Sequence, residues 1–387
     1  MSVIVISKQL GMFDGAQQES MNAPADQFIQ WRADIFKLCR LQRLAVFFPS
    51  ARAAFSLITL FSLVTLFASS FWAEIAAARD IRDGRDPEAI EWLERISKAS
   101  RDLPYSGVFV HQTLDNSSTS RVTHMLDRHG VEHEKIEALD GPLREIIRRN
   151  EEMFCYQPDL KTVRLDRRAT GRFFPSLITG NPKAVSENYL VKMGPVERIA
   201  GFDCQWIFLE PKDEMRYAQK LCAEMGTGLL LRARTYNDRN QMLEQFMFTQ
   251  LDVSGSVAKL SLKSRYEQSA GWQRDYSVKS PTADTDTGWI VKNLPAGFKK
   301  VMEMVRSLTG QTQPISHLVF SDGLSHVSVF AEPSTVPGKV TASGASDDAP
   351  TTFAIRTVAD YQVTVMGEVP LATVQLIADG VSRRGRQ

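Results

Sequence analysis

The histidines are the side chains of this chain best suited to hold a metal or to carry a proton near neutral pH. There are six of them, and four fall between positions 111 and 133: His111, His124, His129, His133, His317 and His326. The strands predicted here would scatter them over different faces and ends of a sheet. No carboxylate or cysteine stands at a ligand spacing such as H-E-x-x-H. The spacing therefore favours structural or surface histidines and no metal site.

The cysteines are the second group able to do chemistry. Of the four, Cys39 precedes an apolar segment, and Cys155, Cys204 and Cys222 follow it. Cys204 and Cys222 lie in two predicted strands joined by a turn at 211–214, so they stand near-opposite and can form a cross-strand disulfide. A register slip of one residue would separate them and leave two buried free thiols. Cys155 is the odd one and is expected to be buried.

Sequence motifs of enzymes are missing from this chain. It has no G-x-S-x-G elbow, no phosphate-binding Walker loop, no Rossmann glycine set and no S-x-x-K set with its partners. This favours a protein that is not an enzyme and needs no cofactor. The formal net charge of +1 also gives no basic surplus of the kind that nucleic-acid binding requires.

An apolar segment near the amino terminus predicts export. The run Ala53–Ala73 carries no charge, five basic residues precede it, and the small residues Ala76 and Ala78 follow it. This order predicts a signal peptide over residues 1–78 with a long basic region, cleaved near Ala78. The alternative is a retained membrane anchor, and Met21 is an alternative start to Met1. Cleavage would leave a neutral chain outside the cytoplasm, in an oxidising compartment.

The elements that must position these residues are mostly strands. A helix is predicted from Asp86, a capping residue before Pro87, to near Arg101. Short β-rich runs separated by turn residues follow and predict an antiparallel sheet, with Arg198–Glu210 as one strand. The predicted domains are 79–264 and 286–387, with a polar linker at 265–285. In the second domain, a hairpin with Asp-Gly at 322–323 and a helix over 370–381 are expected.

Two sets of side chains are candidates for binding. Large apolar residues could line a cleft on the predicted sheet, or could fill its core: Phe173, Phe174, Trp206, Phe208, Phe246 and Phe248. A basic run could contact acidic partners or lipid phosphates, or could be a solvated hairpin edge: Arg164, Arg167, Arg168 and Arg172.

The order of several segments resembles the RseB/MucB family of periplasmic negative regulators of the envelope-stress sigma factor (sigma-E or AlgU type). None of these segments is specific alone, but together they cover most of residues 86–382 in the family order: YSGVFVHQ at 105–112, RVTHMLDRHGVEHEKIEALDGPLREIIRRN at 121–150, CYQPD at 155–159, RIAGFDCQWIFLEPKDEMRYAQKL at 198–221, TGLLLRARTYNDRNQMLEQFMFT at 227–249, LPAGF at 294–298, HLVFSDGLSHVSVF at 317–330 and MGEVP at 366–370.

The resemblance implies an α+β fold. Its amino-terminal domain would be a half-open antiparallel β-barrel with helices, similar to lipoprotein carriers, and its smaller carboxy-terminal domain would be α/β. It implies that the chain binds the periplasmic part of a transmembrane anti-sigma factor and shields it from the site-1 protease. Lipopolysaccharide, an acyl-chain ligand or mislocalised lipoprotein would loosen that complex, and family members self-associate. A periplasmic lipoprotein carrier or chaperone is the alternative. The long leader and the Cys204/Cys222 pair depart from the family pattern.

Overall fold

The computed structural model describes residues 86–166, 173–255, 257–275, 286–306, 313–334, 340–346 and 350–384, which all belong to one compact unit. The predicted signal peptide and its alternatives lie outside these residues. No helix within the described ranges is long and apolar enough to cross a bilayer.

Three helices are described, α1 (Pro87–Asp102), α2 (Pro182–Asn188) and α3 (Leu371–Gly380). The predicted start of α1 is confirmed, because an Asp86 side-chain oxygen accepts hydrogen bonds from the backbone N–H groups of Glu88 and Ala89, at 3.1 and 3.3 Å. Trp92, Leu93 and Ile96 recur at helical spacing and are buried. One face of α1 is thereby fixed against the sheet.

A twelve-stranded sheet forms the larger domain, in the order β12-β6-β5-β4-β3-β2-β1-β11-β10-β9-β8-β7. All neighbours are antiparallel except β12 and β6. The sheet is open, with β12 and β7 at its two ends, and the expected half-open architecture is confirmed. Its strands are β1 (Tyr105–Thr113), β2 (Ser117–Leu126), β3 (Glu132–Ala138), β4 (Glu145–Arg149), β5 (Glu152–Gln157), β6 (Thr162–Asp166), β7 (Tyr189–Ile199), β8 (Phe202–Pro211), β9 (Ala218–Glu224), β10 (Leu230–Tyr236), β11 (Met242–Asp252) and β12 (Gln273–Asp275).

Strand register divides the side chains of this sheet between two faces. Phe246, Ala233, Leu221 and Ile207 stand in one row across β11, β10, β9 and β8. Their face, termed the inner face, also carries Phe109 and is the side covered by α1 and the segment 173–178. The neighbouring rows, Met247–Arg232–Cys222–Trp206 and Gln245–Arg234–Lys220–Phe208, point the opposite way, to the outer face.

Two strands differ from the sequence prediction. The stretch predicted as one strand, Arg198–Glu210, is divided between β7 and β8 by a tight turn at Ala200 and Gly201, whose φ angles are +51° and +90°. Two successive positive φ angles are typical of a hairpin turn, but an alanine rarely occupies such a position, so the sequence does not reveal this turn. Strand β4 also has no counterpart in the sequence prediction, because its five residues include the polar Glu145, Arg148 and Arg149.

Residues 257–275, termed the strap, cross the outer face after β11 and end in β12. The Lys135 amine lies 3.2 Å from a Glu137 carboxylate oxygen and 3.5 Å from Glu145. Arg265 of the strap pairs with both carboxylates, and the Ser264 hydroxyl donates to Glu145 at 2.8 Å. Residues 265–275 fall in the predicted linker, yet they pack on the sheet; the domain boundaries themselves stay a prediction.

The smaller domain contains a six-stranded sheet in the order β14-β15-β16-β19-β18-β17, and α3 packs against β18 and β19. A second pairing, of β13 with β20, adds two strands. Val329, Val363, Val365 and Ile377 are buried in the core between the sheet and the helix. The strands are β13 (Trp289–Val291), β14 (Lys299–Arg306), β15 (Ile315–Ser321), β16 (His326–Pro333), β17 (Thr341–Ala345), β18 (Thr352–Val358), β19 (Tyr361–Gly367) and β20 (Val381–Arg383).

Candidate functional site

An aromatic cluster occupies the inner face of the large sheet. The Phe174 ring lies 4.9 Å from that of Phe248 and 5.6 Å from that of Phe246, measured between centroids, and Phe109 lies 5.4 Å from Phe174. The Arg148 guanidinium lies 5.4 Å from the neighbouring Phe173 ring. All of these side chains are buried. Four of the six candidate cleft residues are thus together, in a packed core beneath the helices.

The other two candidates, Trp206 and Phe208, lie on the outer face. Their rings are 6.3 Å apart, and register places both on the side opposite to Phe246. They therefore do not share a surface with the Phe173–Phe174 segment. A sequence shows that aromatic residues are present in two strands, but only the pairing register shows that Trp206 and Phe246 face opposite ways.

A disulfide joins Cys204 and Cys222 across β8 and β9, with their Cα atoms 5.5 Å apart. The predicted near-opposite placement is off by two residues. Trp206 stands opposite Cys222, and Cys204 stands opposite Glu224, so the two cysteines are diagonal neighbours on the outer face. Because the offset is two rather than one, both thiols still point to the same side. The oxidation state in the native protein stays a prediction.

Of the predicted basic run, only Arg164 is among the described residues. It is exposed on β6 and stands opposite Cys155 of β5. Arg167, Arg168 and Arg172 lie outside the described ranges. Cys155 is unpaired and half-buried. Burial raises the pKa of its thiol, more than the positive charges of Arg144 and Arg164 lower it.

The histidines are separated, each with its own contacts. His111 stacks on Phe246 and lies 3.2 Å from a Glu244 oxygen, His133 lies 3.2 Å from Asp127, and His124 lies 2.8 Å from the Leu103 carbonyl oxygen. Among the described residues, no group of three or more His, Cys, Asp or Glu side chains is placed to hold a metal ion.

A buried arginine connects the two domains. Arg216, in the segment between β8 and β9, lies 2.8 Å from an Asp322 oxygen, and neither side chain is exposed to solvent. The same guanidinium donates to Asp213 at 2.9 Å and to the Ala296 carbonyl oxygen at 2.6 Å. The Tyr189 hydroxyl donates to Asp322 at 3.5 Å. Burial, together with the Asp322 charge, raises the pKa of Tyr189 well above its usual range. We call these residues the junction.

Two further contacts flank the junction. The backbone N–H of Thr179 donates to the Gly323 carbonyl oxygen at 3.0 Å, and Gly323 adopts a φ of +101° that favours glycine. On another side, Arg306 donates to Asp166 of β6 at 3.0 Å and to His317 Nδ1 at 2.8 Å. Burial and the Arg306 charge hold the pKa of His317 well below its usual range, so that ring stays neutral and can accept. The predicted Asp-Gly hairpin is therefore confirmed, and its turn contacts the larger domain.

Sequence reasoning missed the junction. Arg216 and Asp322 lie in two segments that carry the family resemblance, and each belongs to a short polar interruption between apolar strands. Such an interruption is ordinarily a solvated turn. Only the spatial proximity of residues separated by about a hundred positions reveals that the two charges neutralise each other in the interior.

The strap covers a cavity of about 520 Å³ on the outer face. Trp272 and Tyr266 of the strap stack with their ring centroids 5.3 Å apart, and Phe154 and Tyr156 of β5 form the opposite wall. A second cavity of about 430 Å³ lies on the other side of the Lys135 cluster. The strap is thus held at the sheet by ion pairs, with space on both sides of them.

These features define a two-domain protein of open antiparallel sheets whose domains are fixed at a buried junction. Two family models match it, one for the MucB/RseB N-terminal domain over residues 88–266 and one for the MucB/RseB C-terminal domain over residues 283–382. The chain belongs to the MucB/RseB family, as the resemblance of its segments predicts.

Named relatives agree with this assignment over most of their length. The sigma factor AlgU regulatory protein MucB of Pseudomonas aeruginosa is 28% identical over 296 residues, which cover 75% of this chain and 90% of the relative. The sigma-E factor regulatory protein RseB of Salmonella typhimurium is 28% identical over 336 residues, which cover 84% of this chain and 98% of the relative.

Solved structures give the same fold. The complex structure of Pseudomonas aeruginosa MucA/MucB matches with a TM-score of 0.62 at 26% identity, over 77% of this chain and all of that one. A crystal structure of MucB in complex with MucA(peri) matches with a TM-score of 0.59 at 25% identity, again over 77% of this chain and all of that one.

Proposed function

We propose that this chain is a periplasmic regulator that binds the periplasmic part of a transmembrane anti-sigma factor. In that complex it shields the anti-sigma factor from site-1 proteolysis. Lipopolysaccharide, an acyl-chain ligand or a mislocalised lipoprotein weakens the complex and thereby starts the stress response. The chain reaches its compartment through the predicted signal peptide and carries out no chemical reaction.

One observation carries this proposal. Both domains match the family in order, and the structures that match the fold include MucB bound to MucA. A match to the amino-terminal domain alone would fit a carrier equally well. The presence of the second domain, at the place where the family has it, favours the regulator.

The junction supports a partner surface built from both domains. Separating a buried ion pair is costly, because it leaves an uncompensated charge in the interior. The Arg216–Asp322 contact therefore holds one relative orientation of the two domains. A peptide that contacts both domains then finds a preformed surface and loses little binding free energy to domain ordering.

A direct test is binding of the purified processed chain to the purified periplasmic domain of the anti-sigma factor, measured by calorimetry. We expect binding at micromolar concentration or tighter, and protection of that domain from the site-1 protease. Added lipopolysaccharide should weaken binding. Absence of binding at micromolar concentration would remove the regulator as an explanation, whereas binding without any effect of lipid would remove only the sensing.

The carrier alternative makes a different prediction. A carrier should extract acylated lipoprotein from membranes in stoichiometric amounts, since ferrying cargo requires release from the bilayer. The inner-face aromatic residues Phe174, Phe246 and Phe248 are packed against each other, and cargo would have to displace them. Extraction of labelled lipoprotein from vesicles, with no binding to the anti-sigma domain, would support the carrier instead.

A further inference from the structure

The outer face carries a cluster of cationic side chains that lie over aromatic rings. We term it the basic patch and define it by Trp206, Phe208, Lys220, Arg232, Arg234 and Tyr236. The Arg234 guanidinium lies 5.5 Å from the Trp206 ring centroid. The Lys220 amine lies 4.3 Å from the Tyr236 ring and 5.5 Å from the Phe208 ring. The rows of the sheet place all six side chains on the same side.

The arrangement of these charges is unfavourable by itself. Lys220 and Arg234 stand directly opposite each other on β9 and β10. Like charges in directly opposed positions destabilise a sheet, because their side chains start only about 5 Å apart. The pKa of Arg232, the next cation along β10, is lowered by burial and by the charge of Arg234. Three cations are therefore held together against their mutual repulsion.

Protein carboxylates compensate this charge only in part. Glu197 pairs with Arg232 at 3.0 Å and accepts a hydrogen bond from the Trp206 indole at 2.7 Å. Over the residues that the structure describes, no carboxylate pairs with Lys220 or Arg234. Within the described ranges, the Arg234 side chain makes one hydrogen bond, from Nε to the Gln245 side-chain oxygen at 2.8 Å. Its terminal nitrogens and the Lys220 amine remain as donors.

The geometry points to a binding site for a phosphate group between Lys220 and Arg234, with the rest of the ligand lying over Phe208 and Tyr236. A phosphate presents several acceptor oxygens and up to two negative charges, which matches one amine, one guanidinium edge and the nearby Arg232. Gln245 accepts from both Arg232 and Arg234 at 2.8 Å, which fixes the direction of the two guanidinium groups. The proposed function assigns no residues to a phosphate group, so this inference extends beyond it.

The phosphate could belong to a phospholipid headgroup or to a soluble phosphate ester. Binding to the phospholipid headgroup is measured by co-sedimentation of the purified chain with vesicles. Vesicles of phosphatidylglycerol and phosphatidylcholine are compared with vesicles of phosphatidylcholine alone. Calorimetric titration with glycerol 3-phosphate and with inorganic phosphate measures the second source. Binding of any one of these three probes that depends on Lys220 and Arg234 supports the site, and the probe that binds identifies the source.

Charge-neutral variants test the residues. We expect Lys220→Gln to weaken binding of the responsive probe about tenfold, since a hydrogen bond between charged groups contributes roughly this much. Arg234→Lys retains the charge but loses the guanidinium fork and should weaken binding less than Arg234→Gln. The matched control is Lys192→Gln, because Lys192 stands opposite Phe208 on the same face but already pairs with Glu210 at 2.6 Å.

Thermal unfolding of each variant separates loss of the site from loss of the fold. The proposal is overturned if no phosphate probe binds, or if Lys192→Gln weakens binding as much as Lys220→Gln does. It is also overturned if a glutamate-rich peptide binds through Lys220 and Arg234 while all three phosphate probes fail, since the patch would then recognise carboxylates of a protein partner.

Discussion

At the scale of single residues, the buried charge of Arg216 depends on several partners. Arg216 combines two carboxylates and a carbonyl oxygen around one guanidinium, between the two domains. The rings of Tyr189 and Phe298 lie 5.6 and 5.4 Å from it, so apolar surface surrounds the charge. Desolvation of these ions is costly, and the hydrogen bonds must be complete to offset that cost. The stability of the Arg216 cluster therefore depends on each of its charged residues.

Arg216→Ala tests this sensitivity. The change leaves Asp322 buried without its cation, and we expect the free energy of unfolding to fall by about 3–5 kcal/mol. Denaturation by urea, followed by circular dichroism, measures it. Arg384→Ala is the matched control, because Arg384 pairs with Asp286 at the surface with both side chains 59% exposed; its loss should cost less than about 1 kcal/mol. Equal effects of the two changes would contradict the junction's role.

The disulfide gives a second prediction at this scale. A cross-link between residues 18 positions apart restricts the unfolded chain, so replacing both Cys204 and Cys222 by alanine should cost about 3 kcal/mol on the chain-entropy model. Alkylation followed by mass spectrometry should label these cysteines only after reduction. Cys155→Ala serves as the control, since it removes a thiol without removing a cross-link. Two alkylatable thiols at 204 and 222 in native protein would show that the bridge is absent.

At the scale of elements, the strap is attached to the sheet through a cluster of ion pairs. The Lys135 amine also donates to the Lys263 carbonyl oxygen at 3.0 Å, so strap and sheet share one cluster of charges. Burial raises the pKa of Glu137, but the hydrogen bond from Arg265 and the charge of Lys135 outweigh it, and the net pKa lies below its ordinary value of 4.5. We therefore expect the attachment of the strap to depend on pH.

Acid should loosen the strap. Because the pKa of Glu137 is lower in the folded chain than in the unfolded one, its stabilising contribution is complete above about pH 4.5 and is lost as the pH falls below that value. In Glu137→Gln this part of the pH dependence should be missing. Hydrogen exchange of the amides of residues 261–266, measured from about pH 6 down to about pH 3, reads it out.

Glu210→Gln is the control for that experiment, because Glu210 pairs with Lys192 at the surface with about half of each side chain exposed. Unchanged acid sensitivity of the strap in Glu137→Gln would contradict the role given to Glu137.

Elements with local signals were predictable from the sequence, and those that depend on long-range pairing were not. Helix α1 has a cap, a proline and an apolar period within a few residues, so its start was found. The turn at Ala200 and Gly201 has no asparagine or aspartate to mark it, and β7 was lost with it. The family resemblance implies the half-open architecture, whereas the strand pattern alone predicts only an antiparallel sheet.

The candidate site was predictable only in its composition. Phe174, Phe246 and Phe248 of the candidate apolar set pack together, whereas Trp206 and Phe208 of the same set lie on the opposite face of the sheet. The difference is a matter of strand register, which is fixed by packing across the whole sheet. The Arg216–Asp322 contact depends on two domains meeting and has no local counterpart in the sequence.

At the scale of the whole molecule, the two domains meet at three sets of contacts: the Arg216 cluster, the neighbouring Thr179–Gly323 hydrogen bond and the Arg306–Asp166 ion pair. The Thr373 hydroxyl also donates to the Met215 carbonyl oxygen at 2.8 Å, which joins α3 to the same segment as Arg216. A ligand that favours a different domain arrangement must break these contacts. Any such ligand would compete with a partner that binds only the observed domain arrangement.

This competition has a thermodynamic signature under the proposed function. If bound lipid weakens the anti-sigma complex by some factor, the bound anti-sigma domain must weaken lipid binding by the same factor. Coupling of this kind commonly amounts to about 5–150-fold. Calorimetry with lipopolysaccharide below its aggregation concentration, with and without saturating anti-sigma periplasmic domain, gives one factor, and the reverse titration gives the other. The two factors should agree.

A junction variant such as Asp322→Asn should reduce both coupling factors together, because both factors measure the same free-energy difference between domain arrangements. If the variant changed the affinity for one ligand while both coupling factors stayed at their original value, coupling would not pass through the junction, and direct overlap of the two ligands would be the remaining explanation.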